Sequence, residues 1–217
     1  MVTRLILALL VFVQLHVQAQ ISQGVAYYKV TYPSLKADMR KYAHVLPATM
    51  QFTFRHHQFM SEVRTAASYS KTIGDARSRD VTILAELKEK KVMIRRSGYN
   101  YEEPKPRVFV TLTSETKQIA GFTCKKAEVV MLDYDNNTTT NTIWYCDSIG
   151  SPLHGYEQLY PEIKGLLMEY TVNQGGIEMV YTVTSVEAKP IDKRVFDIPE
   201  TGYVLMSDRE FMHLMNK

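Results

Sequence analysis

The chain has little cysteine, a single tryptophan and, past its first residues, no long apolar run. Two cysteines in 217 residues exclude a disulfide-dense scaffold and a cysteine-rich metal site. With no second hydrophobic stretch, a membrane-spanning helix downstream is excluded. No Pro/Gly/Ser-rich linker, low-complexity block or internal repeat divides the sequence, which argues against an array of modules and for one domain. Charge is close to balanced, at +3 over the whole chain. The basic residues are scattered, and the densest run, Lys88 to Arg96, is interleaved with Val92, Met93 and Ile94. That pattern describes a solvated strand face, so no nucleic-acid partner is expected.

What is present begins with an export signal. Arg4 precedes an unbroken apolar stretch, Leu5 to Val13, too short to cross a bilayer, and Val17 and Ala19 satisfy the small-residue rule of signal peptidase. Cleavage between Ala19 and Gln20 is expected, leaving residues 20 to 217 as a single domain that works outside the cytoplasm. Removal of the signal takes away one basic residue and no acid, so 25 bases face 23 acids and the mature charge is +2. No cysteine lies near the cut for lipid attachment.

Period-two alternation dominates the remainder and predicts strands with one buried face. Ala26, Tyr28, Val30 and Tyr32 alternate with more polar neighbours. Met50, Phe52 and Phe54 lead through a four-residue turn, Arg55 to Gln58, into Phe59, Ser61 and Val63, which pairs Phe54 with Phe59, Phe52 with Ser61 and Met50 with Val63. A similar turn over Lys88 to Lys91 would pair Leu87 with Val92 and Ala85 with Ile94. Leu166, Met168, Tyr170 and Val172 lead through Asn173 to Gly176 into Ile177, Met179, Tyr181 and Val183. Val108, Val110 and Leu112 mark a further strand, and residues 119 to 147 a long hairpin around Asp135.

Helical signals are few. Residues 35 to 45, stopped by Pro47, predict a short helix, and Ser207 with Glu210 forms a capping box ahead of Phe211, Met212, Leu214 and Met215. The expected class is mainly β: a curved antiparallel sheet with a few helices against it.

The stretch Lys117 to Ala127 (KQIAGFTCKKA), with Ile143, Trp144 and Tyr145, Lys164 to Tyr170 (KGLLMEY) and Phe196 to Tyr203 (FDIPETGY), resembles a group of exported Bacteroidota proteins of unknown function that includes the GLPGLI family. The similarity covers about the second half of the chain. Tyr160 to Leu166 stands where that family carries its GLPGLI sequence, and Cys146 where a threonine is common. The resemblance implies the fold of the LolA and LolB lipoprotein carriers, a half-open barrel with helices over its concave apolar face. It also implies a Gram-negative periplasm or outer-membrane environment.

No catalytic or cofactor motif with the required spacing occurs, so neither enzymatic activity nor a cofactor is expected. The adjacent His56 and His57 fall in a predicted turn where successive side chains diverge, which makes a metal site there unexpected. Asp133, Asp135, Asn136 and Asn137 have the oxygen ligands of a calcium loop but lack its distal bidentate acid, and read as turn formers.

Two features do carry chemistry. A hairpin centred on Asp135 sets Cys124 opposite Cys146, Lys126 opposite Trp144 and Ala127 opposite Ile143. In an exported protein this predicts a cross-strand disulfide with a loop-entropy contribution of ~3 kcal/mol, and a cation over the indole. Second, the hairpins place Met50, Phe52, Phe54, Met168, Tyr170, Met179 and Tyr181 on one side of the sheet, together with Ile83 and Ile94. Such a surface of thioethers and aromatics either packs as core or lines an apolar cavity, with the connection Ser151 to Lys164 and its Leu153, Tyr156, Leu159, Tyr160 and Ile163 as a rim. Three function classes follow: a carrier for a lipid or acylated protein, an envelope protein that binds another protein, and an enzyme without a familiar motif. The resemblance favours the carrier.

Overall fold

Alternating apolar and polar residues build twelve strands in this computed structural model, which describes residues 20–87, 90–97, 107–132, 137–150, 152, 160, 162–174 and 176–215. The expected signal peptide, with Ala19 at its end, lies outside these residues, as do Lys88, Asp133, Asp135, Asn136, Gly175, Leu153, Tyr156 and Leu159. In chain order the strands are β1 (Gln23–Thr31), β2 (Thr49–Arg55), β3 (Gln58–Arg64), β4 (Ser68–Asp75), β5 (Asp80–Leu87), β6 (Lys90–Arg96), β7 (Arg107–Ile119), β8 (Phe122–Leu132), β9 (Thr138–Cys146), β10 (Leu166–Gln174), β11 (Ile177–Ala188) and β12 (Val204–Leu205).

They form one open sheet in the order β12-β6-β5-β4-β3-β2-β1-β11-β10-β9-β8-β7. All neighbours are antiparallel except β12, which runs parallel to β6. The fold class is thus mainly β, as expected from the alternation. β1, the first strand made, sits in the middle of the sheet between β2 and β11.

The β2–β3 hairpin has the expected register, Phe54 opposite Phe59 and Met50 opposite Val63, but Arg55 and Gln58 also pair. The turn is therefore His56–His57 alone, with His56 at φ 55°. The other two hairpins are tightened in the same way, and this changes their registers. Leu87 faces Lys90 and Ala85 faces Val92; Val172 faces Met179 and Tyr170 faces Tyr181, closing on Gln174 and Ile177. Each shift is by two residues, so every side chain keeps its face. The β8–β9 register is as expected, with Lys126 opposite Trp144 and Ala127 opposite Ile143.

The sheet buries apolar residues on both faces. One cluster joins Ala26, Tyr28, Met50, Phe52, Phe54 and Phe59 to Ile143, Leu166, Met168 and Tyr170. The other holds Met60, Ile73, Leu84 and Met93 under Phe196, which ends a 3-10 turn over Lys193–Phe196 capped by Asp192. Two further contacts reach beyond adjacent strands. The Tyr28 hydroxyl on β1 reaches over β11 to donate to the Leu167 carbonyl of β10 at 2.7 Å. Ile21, just before β1, bridges Ile149, just after β9.

The helical expectations are met in part. Residues 35–45 give only a 3-10 turn, Arg40–Val45, with no buried residue. Helix α1 (Asp208–Met215) starts at the expected box, Glu210 N–H donating to Ser207 Oγ at 3.3 Å and Ser207 N–H to Glu210 Oε2 at 2.7 Å. It is tied to β6 by Arg96 and Asp208. The expected helical cover over the concave face is not found among the described residues: α1 contacts the β6 margin and the Lys193–Phe196 turn contacts β3.

Candidate apolar cavity between β9 and β10

The seam between β9 and β10 opens along its length. Leu166 pairs with Cys146, Leu167 with Tyr145 and Glu169 with Trp144, with a bulge at Met168. Past Glu169 and Trp144, no ladder pair joins the two strands among the described residues. β10 remains fully paired to β11 through Gln174, and β9 to β8 from Thr138 to Tyr145.

A cavity of about 430 Å³ occupies the opening. Its apolar wall is Met131 on β8, Ile143 on β9, Leu167, Tyr170 and Val172 on β10, and Tyr160 from the long connection. Thr139, Asn141, Thr171 and Asn173 complete it, so among the described residues none that lines it is charged. The Tyr160 hydroxyl lies 3.8 Å from Met131 Sδ across the wall. Ile163, from the same connection, is fully buried.

Behind the wall stands a tyrosine stack. Tyr170 and Tyr181 are parallel at 5.1 Å, and Tyr28 meets Tyr170 edge-on at 6.1 Å. Burial pushes the Tyr28 hydroxyl well above its ordinary pKa, so it stays a hydrogen-bond donor at any physiological pH.

Of the seven residues expected to line an apolar surface, the structure brings Met50, Phe52, Phe54, Met168 and Tyr170 into one cluster with Tyr181 packed against it. Met179 is buried beside them, its Sδ 3.8 Å from the Tyr181 hydroxyl. Only Tyr170 touches the cavity; Met50, Phe52, Phe54 and Met168 are packed core. Sequence reasoning missed Met131, Ile143 and Val172 as cavity wall. Their alternation marks the right face, but nothing local says that β9 and β10 part.

Cys124 and Cys146 close the paired end of the seam. The expected disulfide is absent: both are free and buried. The register is as foreseen, but register brings sulfurs together without fixing their oxidation state. Cys124 Sγ–H donates to the Phe122 carbonyl at 3.4 Å, and Ser148 Oγ lies 3.0 Å from Cys146 Sγ. Hydrogen bonds from Cys124 and then Ser148 hold Cys146 down to about 6, while the same pairing and burial push Cys124 up.

Lys126 does not lie over Trp144 as expected. It pairs with Glu115 at 2.9 Å and Glu128 at 3.0 Å. Lys117, which also binds Glu169 at 2.7 Å, takes its place at 5.5 Å from the indole. β7 bulges between Leu112 and Thr116, and this carries Glu115 to Lys126.

His57 pairs with Asp75 at 3.2 Å. Among the described residues no three His, Cys, Asp or Glu side chains converge as a metal site would need. On the opposite face Glu62 accepts from Gln51 and Tyr69, and Glu86 from Lys91 and Tyr203. Both carboxylates are thereby engaged in cross-strand contacts.

No family model and no curated protein matches the chain. Two crystal structures of PNGF-II, in space groups P21 and C2, resemble it with TM-scores of 0.55 and 0.50 at 15% and 14% identity, each over 90% of this chain. The chain spans about a third of that protein, 34% and 33% of its length. At this identity the likeness is one of fold.

Proposed function

We propose that this chain is an exported envelope protein of LolA-like architecture that shelters an apolar ligand, a lipid or an acylated protein, in its curved sheet. The reading is one of binding, with no catalytic role or cofactor assigned. The observation that carries it is the 430 Å³ cavity, uncharged among its described lining residues, which falls within the ~300–1,000 Å³ of ligand pockets. The signal peptide with cleavage at Ala19 and Gln20 supports export, and the resemblance of Lys117 to Ala127 supports a Gram-negative periplasmic or outer-membrane setting.

Solvent extraction of natively purified protein followed by mass spectrometry tests the carrier, which requires a stoichiometric lipid or acylated partner. Val172→Trp fills the cavity and should abolish uptake of a fluorescent fatty acid with the fold kept. Met168→Trp overfills packed core and should cost about 1–3 kcal/mol instead. A parent protein that takes up no fatty acid and yields no lipid ends this reading.

The alternative, an envelope protein that binds another protein without a small ligand, draws on the sheet edges. Phe109 and Leu112 on β7 and Val204 and Leu205 on β12 are exposed apolar residues.

A further inference from the structure

In an antiparallel pair, residues alternate between those that exchange main-chain hydrogen bonds with one neighbour and those that turn them to the other side. The β10–β11 ladder closes on Gln174 and Ile177, and in a hairpin with a two-residue turn the closing pair is hydrogen bonded. Gln174, Val172 and Tyr170 therefore use their main-chain groups on β11. Thr171 and Asn173 direct theirs toward β9, where no ladder pair meets them among the described residues. Their side chains belong to the face away from Tyr170 and Val172, yet both residues line the cavity. What a residue presents to a gap at its strand's edge is main chain.

The cavity thus combines an apolar wall with a strip of main-chain donors and acceptors that no ladder pair among the described residues engages. An acyl chain would cover the wall and leave the strip without partners, at a cost for each buried polar group. A polypeptide in extended conformation satisfies both. We infer that the seam between β9 and β10 binds an extended polypeptide segment, which pairs with the main chain of Thr171 and Asn173 and inserts its alternate apolar side chains against Ile143 and Val172. At the ~3.3 Å rise of a strand, residues 170 to 174 give an edge of about 13 Å, long enough to pair two or three residues of the guest. With no charge among the described lining residues, the inward positions suit neutral, apolar side chains. This rests on the cavity being a binding site and names the chemistry of what enters it.

The experiment uses the mature full-length chain and amide-resolved hydrogen exchange by NMR. In the free protein, Thr171 and Asn173 amides should exchange at least tenfold faster than those of Tyr170 and Val172. A labelled eight-residue peptide alternating valine and threonine should slow both at least tenfold. The same peptide N-methylated at four consecutive residues should bind at least tenfold more weakly, and so should the unmodified peptide to Thr171→Pro, whose lost N–H serves no β11 bond. Thr171 and Asn173 amides as slow as their neighbours in the free protein would mean that the chain closes its own seam, and would overturn the inference. Equal affinity of the two peptides would do the same. A labelled fatty acid separates the two readings: its uptake without peptide binding overturns the strand but keeps the cavity, and failure of both probes removes the binding site itself.

Discussion

β10 has two seams, and they differ. Toward β11 it is paired over six consecutive residues, with Tyr170 stacked on Tyr181 and Val172 facing Met179. Toward β9 it is paired at three positions, interrupted by a bulge. The side chains that β9 turns to the same face beyond Ile143 are Asn141 and Thr139. An aromatic pair stabilises a cross-strand contact by roughly 0.5–1 kcal/mol, whereas small polar residues offer Tyr170 and Val172 little to pack on. Backbone hydrogen bonding is available to both seams equally. Side-chain matching decides which one closes.

The largest expected effect is at the closed end. Gly165, at φ +116°, opens β10 with its Cα hard against β9: a Cβ there would lie 2.1 Å from the Cys146 carbonyl oxygen. Gly165→Ala should therefore cost about 3 kcal/mol or more in urea unfolding, from strain and clash together. A loss below 1 kcal/mol would show that this end of the seam is not tightly held.

Next comes the contact that links β1 to β10 across the fully paired seam. Tyr28→Phe removes the hydroxyl that satisfies the buried Leu167 carbonyl, and should cost about 1–3 kcal/mol by the same measurement. A neutral outcome would mean that β1 and β10 are held together by packing alone.

The thiol pair sharpens the comparison through pH. In reduced protein Cys146 should ionise near 6, followed by its ultraviolet thiolate absorbance, with Cys124 protonated through the neutral range. Because the folded state depresses the Cys146 pKa, its stabilising contribution is fully present above the ordinary value of 9.0 and is lost as pH falls through about 6. Reduced protein should thus gain stability from pH 6 toward 9. Above that the raised pKa of Cys124 acts in the opposite sense. Cys146→Ser should flatten the rise; a variant with the parent's slope would assign the effect elsewhere.

The smallest effect lies away from both seams. Ser207→Ala deletes the cap of α1 and should cost about 1 kcal/mol locally, seen as faster amide exchange in the first turn with little change in the global transition.

These seams also mark what was legible in the chain. Alternation gave one buried face of the predicted hairpins and missed the second, with Met60, Leu84 and Met93; in two hairpins it also missed the register by two residues, because a shift of two preserves every face and only the turn length distinguishes the options. β4 was not foreseen, since Ser68–Asp75 carries Ser70, Thr72 and Gly74 where apolar residues were sought. Those small residues make room for a neighbour: a Cβ on Gly74 would fall 2.2 Å from the Phe59 ring. The capping box at Ser207 was readable because capping is local. The opening of β9 from β10 was not, since it depends on strands that meet only across the long connection. For the same reason the cavity wall could be assigned to a face but not to its residues.

The position of β1 has a kinetic consequence. It is synthesised first, yet its second neighbour is β11, so Gly24 meets Ala188 only when nearly the whole chain is available. Until then β1 to β6 can zip as a meander of short-range hairpins, leaving the far edge of β1, with Val25, Ala26 and Tyr28, unpaired. Contacts of such long sequence separation make folding slow, and an unpaired strand edge invites association with other chains in the interval. A chain that completes its central sheet only when β11 arrives stays pliable until nearly all of it is available, which places the hazard of misassembly late in folding.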